Sequence, residues 1–253
     1  MRLNVYLQKA GAGSRREAER LVADGRVSVN GVTALPTTPV EQGDTVLIDG
    51  RPVTPETKPL PRLFLLHKPD DVLVTHRDHK NRPTIFDLPS LNPPEWPASN
   101  PRIMNVGRLD VNSEGLLVLS SDGPLAQAMM SPEMALSRLY RVRVRGQLKP
   151  DEIEAIAQGI TIDGVDYRGA EFVEEYGQND GRANRWYRCV LTEGKNREIR
   201  KLFDHFGCVV NRLVRLQYGP FSLGDLHPGD VREVPAAQVK ELMDFLIKKG
   251  AKL

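Results

Sequence analysis

Cysteine is scarce: Cys189 and Cys208 are the only two in 253 residues. Two isolated thiols make neither a disulfide framework nor a metal-binding spacing, and they fit a reducing compartment. No apolar run approaches membrane-spanning length. The opening residues, Met1-Arg2-Leu3-Asn4-Val5-Tyr6-Leu7-Gln8-Lys9, contain no apolar signal core. A cytoplasmic location without membrane contact is therefore expected. Internal repeats and low-complexity tracts are absent as well. A large excess of one charge is also lacking, since 35 Lys and Arg face 33 Asp and Glu for a net +2. That total by itself announces no polyanionic partner. His76 and His79 lie close together, but no cysteine or acidic set completes a ligand shell, so no metal is expected.

With 40% hydrophobic residues, the chain can build one large domain, or a large and a small one, around a sizeable core. The distribution of charge says more than its sum. Arg2, Lys9, Arg15, Arg16, Arg20 and Arg26 outnumber Glu17, Glu19 and Asp24 near the N-terminus. Arg138, Arg141, Arg143 and Arg145 form a second basic group, and Lys195, Arg197, Arg200, Lys201, Arg212 and Arg215 a third. Solvated element faces would produce such clusters, but three of them favour a surface that binds RNA or DNA.

The prolines divide the chain. Residues 51–61 carry four of them with almost no periodicity and read as an extended linker. Residues 1–50 form a small module ahead of it. Ser14 and Glu17 make a capping-box pair that opens a helix to about Asp24, which Gly25 can close. Asn30-Gly31 between Val27-Ser28-Val29 and Val32-Thr33-Ala34 is a strong hairpin signal, and 45–50 is a further strand. Arg16 and Arg20 share a helix face, where they can track a phosphate backbone.

Residues 62–253 are rich in strand-like runs: 63–67, 72–75, 102–106, 116–119, 139–145, 185–192 and 209–216. Helices are expected from Lys149 to Gly159, from Asn196 to Phe206, and near the C-terminus, where Val239, Leu242, Met243 and Leu246 have helical spacing. Five prolines from Pro89 to Pro101 mark a long connection. The fold class is α+β: a small α/β module, then a domain on a mostly antiparallel mixed sheet with flanking helices.

Within that domain, Gly107-Arg108-Leu109-Asp110-Val111-Asn112-Ser113-Glu114-Gly115 lies between two strands. Asp110 is either an ordinary turn residue or a carboxylate held by a rigid sheet to act as nucleophile or base. In the helix at 196–206, Ile199, Leu202, Phe203 and Phe206 form an apolar stripe, with Arg197, Lys201 and Asp204 opposite. Arg200 falls at the border of the stripe. There it is a surface residue or the partner of a half-buried carboxylate, with Asp110 the obvious choice. Tyr140 precedes Arg141-Val142-Arg143-Val144-Arg145 and shares the valine side of that strand. It is a core residue or a stacking face for a base, while the arginines can face RNA.

The first fifty residues resemble the S4 RNA-binding domain in Leu3-Asn4-Val5-Tyr6-Leu7, Gly13-Ser14-Arg15-Arg16-Glu17-Ala18, Gly25-Arg26-Val27-Ser28-Val29-Asn30-Gly31 and Gly43-Asp44. Gly107-Arg108-Leu109-Asp110 with Ser113-Glu114-Gly115-Leu116-Leu117, Tyr140-Arg141-Val142, and Glu193-Gly194-Lys195-Asn196-Arg197-Glu198-Ile199-Arg200-Lys201 resemble the RsuA/RluB branch of bacterial ribosomal pseudouridine synthases. The domain order matches too. Arg185-Trp186-Tyr187 and Asn196-Arg197-Glu198 look closer to its large-subunit members. Asp71 stands where relatives often carry glycine.

The resemblance implies roles. Asp110 would be the catalytic carboxylate, Tyr140 would pack on the target uracil, and Arg200 would keep Asp110 charged and oriented. Arg108 would lie near the flipped nucleotide, while Lys9, Arg15, Arg16, Arg20, Lys195 and Arg197 would contact RNA. The implied reaction breaks the N-glycosidic bond of a uridine in 23S rRNA, within a stem-loop, and rejoins the base through carbon 5. Attack of Asp110 on the sugar, attack on the base and removal of a sugar proton all fit the sequence. No cofactor or metal is implied, and a monomer is expected. The alternatives are a 16S rRNA-directed member, a non-catalytic S4-type ribosome-assembly protein, and a nucleic-acid hydrolase. The hydrolase would want a second acid or metal ligands that the sequence does not offer.

Overall fold

Asn30 and Gly31 both take left-handed backbone conformations, φ 52° and 80°, which a two-residue hairpin with the twist of its strands requires. They join β1 (Val27–Val29) to β2 (Val32–Thr33) in the first of two units of this computed structural model, Met1–Leu60 and Pro61–Leu253. The structure describes residues 1–41, 43–54, 60–92, 103–175 and 184–253.

In the first unit, α1 (Leu3–Lys9) and α2 (Arg15–Ala23) pack on a sheet ordered β2-β1-β3-β4, with β3 at Val46–Ile48 and β4 at Arg51–Pro52. The capping box of Ser14 and Glu17 is formed, and Gly25, at φ 69°, follows the C-cap Asp24. Leu3, Leu7, Ala18, Val22, Val27 and Val46 fill the core. Arg51-Pro52, expected at the start of the linker, instead pairs with Leu47 and Ile48. Pro52 is tolerated there because β4 is an edge strand, where a missing N–H breaks no interior ladder. Residues 55–59 of the expected linker lie outside the described residues.

The second unit is built on a mixed sheet. Its strands are β5 (Leu63–Lys68), β6 (Met104–Val106), β7 (Glu114–Ser120), β8 (Arg138–Arg145), β11 (Glu171–Glu174), β12 (Asn184–Leu191), β13 (Val209–Tyr218), β14 (Phe221–Ser222) and β15 (Val231–Glu233). The spatial order is β11-β12-β8-β13-β7-β5-β15, with β6 on β7 and β14 on β13. Among the described strands of this sheet, only the β13–β7 pairing is parallel. A separate hairpin, β9 (Ile160–Ile162) with β10 (Val165–Tyr167), completes the described strands.

Helices close both faces. Leu116 and Val118 point towards α3 (Gly123–Met130) and α6 (Ala236–Lys248), while Leu117 and Leu119 pack with Ile85, Leu91 and Leu109 on the other side. A strand buried on both faces must read as an unbroken apolar run, and 116–119 does. Under α4 (Pro150–Gln158) and α5 (Glu198–His205), Val142, Val144, Tyr187 and Cys189 meet Ile156, Ile199, Leu202 and Phe203.

Two sequence expectations need correction. Residues 72–75 form no strand: Asp71 turns the chain at φ 57°, and only Leu73 finds a bridge partner, Thr84. The helix expected from Asn196 begins at Glu198, because Arg197 is its N-cap at φ 53°. Arg102 and the proline-rich connection from Pro93 to Pro101 lie outside the described residues.

Candidate active site

Asp110 sits in the loop between β6 and β7, two strands that pair antiparallel. The loop is tied at several points. Leu109 buries its side chain beside Leu117 and Leu119, which leaves Arg108 exposed and Asp110 half-buried at the surface of the loop. The Ser113 N–H donates to the Asp110 carbonyl at 3.1 Å and the Asp71 N–H to the Val111 carbonyl at 3.0 Å. Lys68, wholly buried, donates from Nζ to the carbonyls of Pro69 (2.8 Å), Val111 (3.1 Å) and Ser113 (2.7 Å). After the loop, Gly115 has φ 100°, and a Cβ there would stand 2.3 Å from the Arg215 carbonyl oxygen. Only glycine lets β7 and β13 approach so closely.

Two guanidinium groups face the Asp110 carboxylate. Arg197 Nη1 lies 3.7 Å from Oδ2 and Arg200 Nε 4.0 Å from it. Both distances are coulombic contacts, longer than hydrogen bonds. Arg200 spends its other donors on the carbonyls of Asn112 (2.5 Å) and Val210 (3.1 Å), so it braces the Asp110 loop against β13. Burial, together with the positive charge of Arg197, weakens the hold of Arg200 on its proton, and Asp110 opposes that.

A cavity of about 260 Å³ opens beside Asp110. Tyr140 lines it, packed where two core clusters meet. In the ladder between β8 and β13, Tyr140 stands opposite Arg215 and Arg138 opposite Tyr218, and all four line the cavity. On the far wall, Glu193 and Glu198 are nearly buried. Glu193 ion-pairs with Lys195 Nζ and accepts the Arg168 N–H at 2.8 Å. Burial raises Glu193, yet the hydrogen bonds from Lys195 and Arg168 bring its pKa below the usual carboxylate range. Glu198 is pushed up to about 7, first by burial and then by the neighbouring Glu193, although the Lys195 N–H opposes the shift. Below about pH 7 the pair thus holds one proton, on Glu198.

Residues 62–205 match the family model of RNA pseudouridylate synthases, and residues 1–46 match that of the S4 domain. The chain belongs to the RNA pseudouridylate synthase family. An RNA pseudouridine synthase of Rickettsia felis is 39% identical over 238 residues, covering 92% of this chain and 96% of that protein. The ribosomal large subunit pseudouridine synthase B of Pseudomonas aeruginosa is 36% identical over 247 residues; the match covers 96% of this chain but only 62% of that longer protein. A crystal structure of a pseudouridylate synthase is alike in fold, with a TM-score of 0.64 over 96% of this chain and 99% of its own, at 21% identity. An S4 domain ahead of the synthase domain fits the RsuA/RluB type.

In this synthase the structure brings Arg108, Asp110, Tyr140, Lys195, Arg197 and Arg200 to one cavity. Lys195 faces inward to Glu193 and lies over the Tyr167 ring at 5.7 Å, so its charge is already engaged. Arg141, expected on an RNA-facing side, is bound to Glu175 at 2.8 Å and stacks on Trp186 at 4.4 Å. Lys9, Arg15, Arg16 and Arg20 are exposed on the S4 unit. His76 lies flat against Phe86, with ring centroids 3.8 Å apart. Asp71 takes a left-handed turn, at φ 57°, of the kind that glycine favours.

Sequence reasoning gave no site role to Arg138, Glu198 and Arg215, which line the cavity, or to Lys68, which anchors the Asp110 loop. Arg138 was legible in principle, since it lies two residues before Tyr140 and must share its strand face. Arg215 and Lys68 depend on pairing across the sheet, which no local pattern reveals.

Proposed function

We propose that this chain converts a uridine of 23S ribosomal RNA, presented in a stem-loop, to pseudouridine, with Asp110 as the carboxylate on which the reaction turns. The observation that carries this reading is Asp110 facing Arg197 and Arg200 at a cavity lined by Tyr140. The large-subunit choice is supported by the name of the Pseudomonas aeruginosa relative. In the domain arrangement we favour, residues 1–50 with the edge strand β4 grip RNA, the residues after β4 up to 61 connect, and 62–253 carry the chemistry. The protein works as a cytoplasmic monomer.

The chemistry fits the residues. A uridine must leave its stack to enter such a cavity, at a cost of a few kcal/mol, and the Tyr140 ring offers a replacement face. Breaking the bond between N1 and the sugar leaves the electron pair on the base. The base turns, carbon 5 bonds to the sugar, the proton on carbon 5 leaves, and N1 takes up a proton. Substrate and product have the same atoms and oxidation state, so the reaction needs no co-reactant. Arg200 and Arg197 face the Asp110 carboxylate and keep it aimed through these steps.

The deciding measurement is release of tritium from carbon 5 of labelled uridine in 23S and 16S rRNA, free and in assembly intermediates. Wild type is expected to release tritium from 23S rRNA, and Asp110→Asn to release none above background. Equal release by both proteins would remove Asp110 from the chemistry. Release from 16S rRNA alone would reassign the substrate, and none from any RNA would favour a binding protein. Arg200→Ala is expected to lower turnover far more than RNA affinity.

A further inference from the structure

We propose that Arg138 and Arg215 form a two-guanidinium seat for the carbonyl oxygens of the target pyrimidine, on the floor of the cavity beside Tyr140. The inference rests on the synthase reading above and names what that site recognises.

Placement is the first argument. Arg215 lies directly across the ladder from Tyr140, and Arg138 across from Tyr218. Both guanidinium groups approach the Tyr218 ring, at 4.8 Å for Arg138 and 5.1 Å for Arg215. A base resting against Tyr140 would therefore have Arg215 as its cross-strand neighbour.

Burial is the second. Arg138 is 7% exposed and Arg215 2%. Buried guanidinium groups are ordinarily met by a carboxylate, because an unpaired buried charge is costly. Among the described residues neither has one within ion-pair distance. Their partners are neutral: Arg215 Nε donates to the Leu116 carbonyl at 2.6 Å, Arg138 Nη2 to the Tyr218 hydroxyl at 3.2 Å, and Arg138 Nη1 to the Leu136 carbonyl at 3.4 Å. Among the described residues, Arg215 Nη2 is fully buried and meets no acceptor. A charged donor without a partner, on a residue that lines the cavity, is suited to an acceptor on a ligand.

The third argument decides which acceptor. Arg108 and Arg197 are exposed where the RNA backbone must run, so phosphates meet them first. The floor is reached by the base. Uracil offers O2 and O4, whereas cytosine replaces O4 with an amino group, a donor that would face donors. When the bond to the sugar breaks, the pair left on N1 spreads onto O2 and O4, the atoms these arginines hold. Donors placed where charge develops act more on turnover than on affinity.

The test uses a synthetic stem-loop carrying the uridine that the wild-type protein modifies, prepared also with 2-thiouridine, 4-thiouridine or cytidine at that position. Sulfur accepts hydrogen bonds more weakly than oxygen. Arg215→Met is expected to slow tritium release from the uridine substrate about a hundredfold with unchanged RNA affinity. Wild type should slow on at least one thio substrate, and Arg215→Met should be indifferent to that same replacement. Arg215→Lys, which keeps charge without the fork, and Arg138→Met serve as second variants, with circular dichroism melts to check folding. Equal slowing of wild type and all variants by both thio groups overturns the seat. So does weaker binding with a shallower salt dependence, which would place the arginines on phosphate. Release from the unmodified stem-loop by wild type separates these outcomes from failure of the synthase reading itself.

Discussion

Lys68 shows how one side chain can set the geometry of a loop more than forty residues away. Its three N–H donors meet three carbonyls, and two of these, Val111 and Ser113, belong to the Asp110 loop. Burial lowers its pKa to about 8, while the charges of Asp70, Glu114, Asp110 and Asp71 act the other way. At neutral pH the ammonium form therefore prevails and all three donors are present. Above pH 8 one donor is lost and a lone pair faces a carbonyl. Turnover of wild type is expected to decline on the alkaline side with a midpoint near 8. Lys68→Met should lack that limb, lose about 2–3 kcal/mol of stability from unsatisfied buried carbonyls, and turn over slowly while still binding RNA. Thermal melts together with a pH–rate profile check this, and an unchanged alkaline limb in the variant would exclude Lys68 as its source. In the sequence, Lys68 ends an apolar strand, and nothing local marks it as the loop's anchor.

At the scale of elements, what the sequence makes legible follows the range of the forces involved. The Asn30-Gly31 hairpin, the capped helix after Ser14 and the strands on either side of Asp110 are written in neighbouring residues, and all are present. The short α1 has no local signal, since Arg2 supplies no side-chain cap and packing of Leu3, Tyr6 and Leu7 holds the helix. Helix α3 does carry a signal that sequence reasoning missed: Asp122 caps the Leu125 N–H at 2.9 Å, with a proline in the first turn. For α5 the stripe of Ile199, Leu202 and Phe203 reads correctly, while its start is displaced because a left-handed Arg197 has no signature in composition. That start matters, because it buries Glu198 beside Glu193. A folded-state pKa of about 7, against 4.5 for an ordinary glutamate, means the native protein keeps a proton that the unfolded chain has released. The stabilisation is complete below about 4.5 and is lost as pH rises through about 7. Glu198→Gln retains a donor towards Glu193 and cannot ionise. Melting temperatures from pH 5 to 8 should fall for wild type and stay nearly level for the variant, a difference on the order of 5 °C at pH 8. Parallel curves for the two proteins would mean that Glu198 does not carry the proton.

For the whole molecule, the division of labour between the two units can be read from how each spends its arginines. In the second unit most are committed: Arg62 to Glu233, Arg185 to Glu174, Arg212 to Glu114, Arg200 to the loop around Asp110. In the first, Arg26 is tied to Asp49, but Lys9, Arg15, Arg16 and Arg20 are exposed, with no carboxylate within ion-pair distance among the described residues. Exposed, uncommitted cations on one small unit cost little to redirect towards phosphate, and each phosphate they neutralise releases counterions. Substituting Arg15 and Arg16 together by Ala should therefore weaken RNA binding and lower the slope of log affinity against log salt by about 0.7–0.9 for each phosphate no longer neutralised. Turnover at saturating RNA should stay near that of wild type, because neither residue belongs to the unit that holds Asp110. Filter binding across a salt series, paired with single-turnover tritium release, separates the two effects. A double variant that binds with the wild-type salt slope but reacts slowly would reverse the assignment and make the first unit part of the reacting geometry.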